Sequence, residues 1–374
     1  MNLLKRKSVL ISGASIAGLS AAYWMNKLGY RVTVVEIADT PRTGGTAVDF
    51  REQTVDIVKR MGLYEQLKAN ALHLERVEFK TSDDVTVNSL LLNNGKDEPT
   101  REEIEIERTA LINILFKAVE EEIEFIFSNS ITALNETAND IQATFKTGPV
   151  RTFDLVFGCD GSHSGVRKIW FGDEKEYTHY LGGYFSISIV NKLLISPSTM
   201  QFYNVPGKAY MLNAYQNKTD IVFCFLANEE IPYDYRNTAQ QRQIIMKQFA
   251  GNGWRTAELL QQVANAENFY FDKFCQIKMP YWTKGRVALI GDAAYCPSPA
   301  AGMGGSLAVE GATALANALQ KHNGNYEQAF AEYEQSLRPF IEEVQAEAER
   351  NVTGNFIPRT EEAIRKRNTE GFGF

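Results

Sequence analysis

The chain of 374 residues has four cysteines and four histidines, and both are scattered. Cys159, Cys224, Cys275 and Cys296 form no CxxC pair, and no Cys/His spacing fits a zinc site. A disulfide framework and a structural metal are therefore not expected. Four reduced thiols point to a reducing compartment, and the cytoplasm is the expected location. No apolar stretch approaches the length of a membrane span, and the N-terminal segment lacks the shape of a signal peptide. A basic excess is also missing. The formal net charge is −7, which argues against nucleic-acid partners and anionic membranes. Proline is sparse at 11 residues against 27 glycines, and no repeat or low-complexity segment occurs. What remains is an ordinary soluble composition, long enough for two or three domains and a large core.

The glycines that are present are informative. Ser8 to Ser12 reads as a buried strand, and Gly13-Ala-Ser15-Ile-Ala-Gly18 follows at once. A helix-like run to Leu28 ends at Gly29, and Arg31 to Val35 forms a second strand that leads into Glu36. Gly13 permits a tight turn, and Gly18 allows close packing of helix on strand. The helix N-terminus offers free N–H groups to a pyrophosphate, and Glu36 can accept ribose hydroxyls. Ser15 stands where the middle glycine is usual. It is small enough for a phosphate to approach, and its hydroxyl is a candidate extra donor. The carboxylate of Glu36 would repel a 2′-phosphate, which leaves FAD or NAD for this site.

Two later segments repeat the theme. Asp154 to Cys159 reads as a strand, followed by the Asp160-Gly161 turn and by Ser164, Gly165, Val166 and Arg167. Arg286 to Ile290 reads as a strand, followed by Gly291-Asp292, a Gly-rich loop from Pro299 to Gly305, and a helix to Leu319. An acid at a strand end suits ribityl or ribose hydroxyls. A glycine loop opening a helix suits the electron-rich edge of a flavin ring.

With these motifs in this order, the chain resembles the flavoprotein aromatic hydroxylases. These are the single-component class A monooxygenases of the para-hydroxybenzoate hydroxylase type. Within them it is most similar to the tetracycline-inactivating and polyketide-tailoring enzymes. The resemblance covers essentially the whole chain. It implies an α/β architecture: a Rossmann-like FAD-binding domain of the GR2 type, an inserted β-sheet substrate domain, and a C-terminal bridging helix. The implied division is 1–72, 101–172 and 281–322 for FAD, 73–100 and 173–280 for substrate, and 323–374 for the C-terminal helix and tail. The tail is polar and is expected to be loosely held. Pro339 is expected to start or kink a helix.

The implied cofactor residues are Gly13, Ser15, Gly18, Glu36, Arg42, Arg108, Asp160, Gly161, Arg167, Gly291, Asp292, Pro299, Gly302 and Gly304. Asp292 is assigned to the ribityl chain. The implied reaction hydroxylates an aromatic or polycyclic molecule with O2 and NAD(P)H, through a flavin C4a-hydroperoxide. NADPH or NADH would dock transiently, since the chain shows no second dinucleotide fold. The chemistry belongs to the flavin, and no catalytic side chain or metal is assigned. A monomer or dimer is expected. Two other functions fit the same motifs: a flavin oxidoreductase without oxygen transfer, and a flavin-bound binding or sensing protein.

The sequence departs from the family at three places. Tyr295 replaces the usual His, Met303 replaces a polar residue between the loop glycines, and Gly311 replaces a common Asp. The middle segment alternates as an antiparallel sheet over 184–190, 200–203, 209–215 and 220–226, with helices at 239–250 and 255–265. Residues 176–282 hold 20 of the 42 aromatics. These form either stacking surfaces for a flat ligand or a densely packed core. Tyr184, Phe185, Met211, Tyr215, Phe223 and Phe225 are the candidate pocket residues, with Phe223 and Phe225 on one strand face.

Overall fold

The structure is a computed structural model, and it describes residues 6–41, 44–92 and 102–371. Its first unit is built on a six-stranded sheet. The strands run in the order Thr283–Lys284, Val287–Leu289, Leu155–Gly158, Ser8–Ser12, Arg31–Val35 and Glu124–Ile126. All pairings are parallel except the first, which is antiparallel. The central strands are apolar from end to end because helices cover both faces of such sheets. The Ile16–Lys27 helix packs against the Gly304–Lys321 helix, and Trp24 Nε1 donates to Thr313 Oγ1 at 2.8 Å between them. Two three-stranded sheets flank this unit.

The second sheet has seven strands. Their order is Asn268–Ile277, Thr178–Val190, Lys218–Leu226, Lys208–Tyr215, Thr199–Val205, Arg76–Lys80 and Thr86–Leu91. All neighbours are antiparallel except Thr199–Val205 with Arg76–Lys80. The four alternating segments read from the sequence are all strands here, and the two helices lie at Thr238–Phe249 and Thr256–Asn265. Side-chain alternation gives the sheet two faces with different neighbours. Tyr184, Tyr210, Phe223, Phe225 and Phe271 pack with Ile245, Phe249, Leu259 and Val263 of those two helices. Phe185, Met211, Val222, Cys224 and Phe274 pack instead with Ala300 and Ala301 of the first unit.

A single helix runs from Tyr326 to Asn351 with Pro339 in its interior, which leaves the kink of the two readings given for that proline. The C-terminal tail corrects one expectation. The polar tail is not loosely held. Residues Glu361–Glu370 form a helix capped by Thr360, whose side chain accepts from Ala363 N. Arg367 is 5% exposed, and its guanidinium lies 5.1 Å from the Phe79 ring centroid. It also donates to Asn204 Oδ1 of the seven-stranded sheet. The arginine stem and cation–π contact anchor a segment whose composition alone reads as solvated.

Candidate cofactor and substrate site

The parallel strands Ser8–Ser12, Arg31–Val35, Leu155–Gly158 and Val287–Leu289 all end on one edge of the six-stranded sheet. Ligands of open α/β sheets bind at that edge. Gly13 follows the first strand with φ of +102°, and a Cβ there would lie 2.6 Å from Cys159 O. A Cβ on Gly18 would lie 1.8 Å from Gly13 O, so only glycine fits the close approach. Ser15 caps the Ile16–Lys27 helix by accepting from Gly18 N. Its own hydroxyl proton goes to Cys159 O at 2.8 Å. The extra phosphate donor expected of Ser15 is therefore committed within the protein.

Glu36 is 7% exposed and held on both oxygens. Ala14 N donates to Oε2 at 2.7 Å, and Ala38 N donates to Oε1 at 2.9 Å. Each carboxylate oxygen keeps a second lone pair for a hydroxyl donor.

Asp160 and Arg167 tie the next two motifs together. Asp160 accepts from Ser164 Oγ, from Val166 N at 3.1 Å and from Ser12 Oγ at 3.3 Å. Burial raises its pKa, and the bonds from Ser164 and Val166 oppose the rise. Gly161 turns the chain with φ of +83°. Arg167 is fully buried and donates to Ala293 O at 2.8 Å and to Ser162 O. It thus joins the Asp160-Gly161 turn to the segment after Asp292. Burial lowers its pKa.

Gly291 and Asp292 stand at the end of the Val287–Leu289 strand, with Gly291 at φ of +66°. Burial raises the pKa of Asp292, and the Arg108 guanidinium opposes it. Arg108 opens the helix to Lys117 and lies beside Gly45, where a Cβ would stand 3.0 Å from Arg108 Cδ. Pro299–Ala301 is a single 3-10 turn, and Gly302 is left-handed at φ of +65°. The helix from Gly304 begins without a side-chain cap. Space is open beyond the missing Cβ atoms of both Gly302 and Gly304. A helix start without a side-chain cap, with open space beside its first glycines, suits an electron-rich planar ring. Arg42 lies outside the described residues.

The substrate candidates divide by strand face. Tyr184, Phe223 and Phe225 lie on the face covered by the two helices, where the packed-core alternative places them. Tyr184 stacks on Phe225 at 5.3 Å and on Phe271 at 5.6 Å, and its Oη accepts from Ile231 N. Phe223 meets Phe249 at 4.6 Å. All three lie beneath the two helices, so the aromatic excess there is packing. Phe185, Met211 and Tyr215 occupy the opposite face, toward the first unit.

On that face the sequence reading missed a set of polar residues. Asp220 is fully buried and accepts from Tyr215 Oη at 2.8 Å and Thr46 Oγ1 at 3.0 Å. Burial lifts its pKa to about 6. Glu105 is lifted to about 7 by burial and by the charges of Asp49 and Asp220. An acid immediately before the apolar run Ile221 to Leu226 was the available signal.

A second charged group borders the Asp160-Gly161 turn. His163 faces Asp272 Oδ2 at 3.4 Å and Glu174 Oε1 at 2.8 Å. Those contacts raise its pKa to about 9. Tyr233 and Tyr270 hydroxyls also donate to Asp272, at 2.8 Å each. No cluster of metal ligands occurs among the described residues, and no helix among them is long and apolar enough to cross a membrane.

Comparison with known proteins matches this geometry to a family. A family described as "FAD binding domain" matches residues 6–348. The uncharacterized protein Rv1260 of Mycobacterium tuberculosis (strain ATCC 25618 / H37Rv) is 34% identical, over 95% of this chain and 96% of its own. A flavin-dependent monooxygenase of Legionella longbeachae is 33% identical, over 90% of this chain and 87% of its own. The crystal structure of tetracycline destructase Tet(51) superposes with a TM-score of 0.86 at 32% identity, covering 98% of this chain and 95% of that one. The chain belongs to the FAD binding domain family, as a flavin-dependent monooxygenase.

Proposed function

We propose that the protein hydroxylates a neutral aromatic or polycyclic molecule, of tetracycline-, polyketide- or phenol-like class, using NADPH or NADH as a transient hydride donor. The observation that supports this most is the helix start at Gly304, which lacks a side-chain cap and is open at Gly302 and Gly304. When bound, FAD supplies the oxygen chemistry.

The protein's own residues then bind and orient. Gly13, Gly18 and the start of the Ile16–Lys27 helix receive the pyrophosphate. The spare lone pairs of Glu36 take ribose hydroxyls. Asp292 takes the ribityl chain, and Pro299, Gly302 and Gly304 border the ring. Asp160, Gly161 and Arg167 hold the turn where cofactor and donor meet, and Ser15 acts as the helix cap. Arg42 is assigned to the flavin by its place in the motif. Residues 1–72, 101–172 and 281–322 are assigned to cofactor, and 73–100 and 173–280 to substrate. Phe185 and Met211 border the substrate, because they cluster with Ala300 and Ala301, and Tyr215 joins them because it shares a strand face with Met211.

The similarity to Tet(51) favours tetracycline-like compounds as the first to try. The test is direct. The purified protein should be yellow or should take up FAD. It should then oxidise NAD(P)H faster with one member of an aromatic panel and yield a product heavier by one oxygen atom. A protein that binds no FAD would refute the reading. NAD(P)H oxidation without oxygenated product would favour a reductase.

A further inference from the structure

Asp220 is a buried carboxylate at the head of an apolar strand segment. Burying such a charge is costly unless hydrogen bonds compensate. Its two oxygens are satisfied from two different parts of the molecule. Tyr215 Oη donates to Oδ1 at 2.8 Å, across the hairpin of the seven-stranded sheet. Thr46 Oγ1 donates to Oδ2 at 3.0 Å, from the loop preceding the Val48–Arg51 strand. The neighbouring lysine does not take this role, because Lys218 Nζ donates to Glu107 Oε1 at 2.6 Å.

The loop carrying Thr46 is gripped on its other sides by cofactor-side residues. Gly44 N donates to Thr109 Oγ1 at 3.3 Å. Gly45 closes on the Arg108 side chain, and Val48 fills the space beside Gly305. Ser306 Oγ donates to Asp49 O at 2.8 Å. One carboxylate therefore links the sheet face bearing Met211 and Tyr215 to a loop wedged between Arg108 and the start of the Gly304 helix.

We propose that Asp220 is a positioning residue. It couples Tyr215 to the Gly44–Val48 loop and so fixes the gap between the substrate-facing strands and the cofactor-side loop. This rests on the monooxygenase reading above. Asparagine at 220 keeps one acceptor oxygen for Tyr215 and turns an N–H toward Thr46, so the bond from Thr46 is lost in its present sense, whereas losing the Thr46 hydroxyl leaves the Tyr215 bond in place. The effects of Asp220 and Thr46 are thus coupled rather than additive.

The experiment compares wild type with Asp220→Asn, Thr46→Val, Tyr215→Phe and the double variant D220N/T46V. FAD dissociation constants are measured by fluorescence titration, the visible spectrum of the bound flavin is recorded, and KM and kcat are separated for any substrate found. Asp220→Asn weakens FAD binding by about tenfold, the value of one charge-assisted hydrogen bond, and alters the visible band. D220N/T46V binds no more weakly than Asp220→Asn. Tyr215→Phe leaves the FAD constant within about twofold and raises KM more than it lowers kcat. Wild-type FAD affinity and spectrum in both Asp220→Asn and Thr46→Val overturn the proposal, as does simple additivity. If Asp220→Asn does not fold, Thr46→Val and Tyr215→Phe decide, and wild-type values in both overturn it. Wild type that takes up no FAD refutes the parent reading instead.

Discussion

Replacing Gly311 by alanine tests how Tyr295 is held. Gly311 lies inside the Gly304–Lys321 helix, where alanine ordinarily stabilises by about 1 kcal/mol. Here an added Cβ would stand 1.8 Å from Tyr295 Oη, 3.1 Å from Tyr295 Cζ and 3.4 Å from Ile290 Cγ2. Tyr295 has little room to retreat. It is 1% exposed, its ring meets Trp282 at 4.6 Å, and its hydroxyl is 3.1 Å from Tyr333 Oη. Overpacking of this kind costs up to about 3 kcal/mol, so Gly311→Ala should lose about 2 kcal/mol net. Tyr295→Phe removes the colliding oxygen and forfeits about 1 kcal/mol for the hydroxyl contact. Tyr333 keeps its bond to Leu289 O at 2.9 Å in that variant. Once Tyr295→Phe is in place, adding Gly311→Ala should cost less than about 1 kcal/mol, because the closest clash has gone. Urea unfolding of wild type, the two single variants and the double variant measures this cycle, with unchanged m-values required. A Gly311→Ala protein as stable as wild type would refute the reasoning. So would a penalty of equal size with and without the Tyr295 hydroxyl.

Three further outcomes are expected. Gly18→Ala forces a Cβ to within 1.8 Å of a backbone oxygen, so it should lower stability by about 3 kcal/mol and abolish FAD uptake, read by melting and by flavin absorbance. His163 is raised from 6.5 to about 9, so its contribution is full below pH 6.5 and lost as pH rises through 9. After solvent screening this amounts to about 1 kcal/mol, and His163→Gln should flatten that limb of a stability–pH curve. Glu105 also costs stability as pH rises, in a lower window and for a different cause. Its pKa is raised from 4.5 to about 7 by burial, so stability falls as pH rises from 4.5 through 7 and then levels off. Glu105→Gln should match wild type near pH 4 and exceed it by on the order of 1 kcal/mol at pH 8, and equal stability at pH 8 would contradict the assignment.

The glycine-marked strand ends of the six-stranded sheet were legible because their constraints are local. Gly18 is required by a backbone contact five residues back, and Glu36 follows directly from the strand that carries it. The parallel strands were readable as unbroken apolar runs. The seven-stranded sheet was not legible to the same degree. Alternation correctly placed Phe223 and Phe225 on one face, but period two cannot say which face the helices cover. The helices at Thr238–Phe249 and Thr256–Asn265 cover that face and make those rings core. The tail likewise read as polar, since a buried Arg367 over Phe79 depends on a partner strand far away in sequence.

The scarcity of cysteine, basic charge and long apolar runs, with the glycine-marked strand ends, determined the class of the protein from sequence alone. Those features act through local backbone sterics and composition. Tertiary structure decided how distant residues are paired. Tyr295 and Gly311 are separate departures in the sequence, and they become one because the tyrosine hydroxyl occupies the space of the missing Cβ. Nothing in the sequence pairs Thr46 and Tyr215 with Asp220, and the three meet only where the seven-stranded sheet closes on the Thr46 loop. Burial couples such residues by excluding water between them, and no periodicity in the chain records which ones will be brought together.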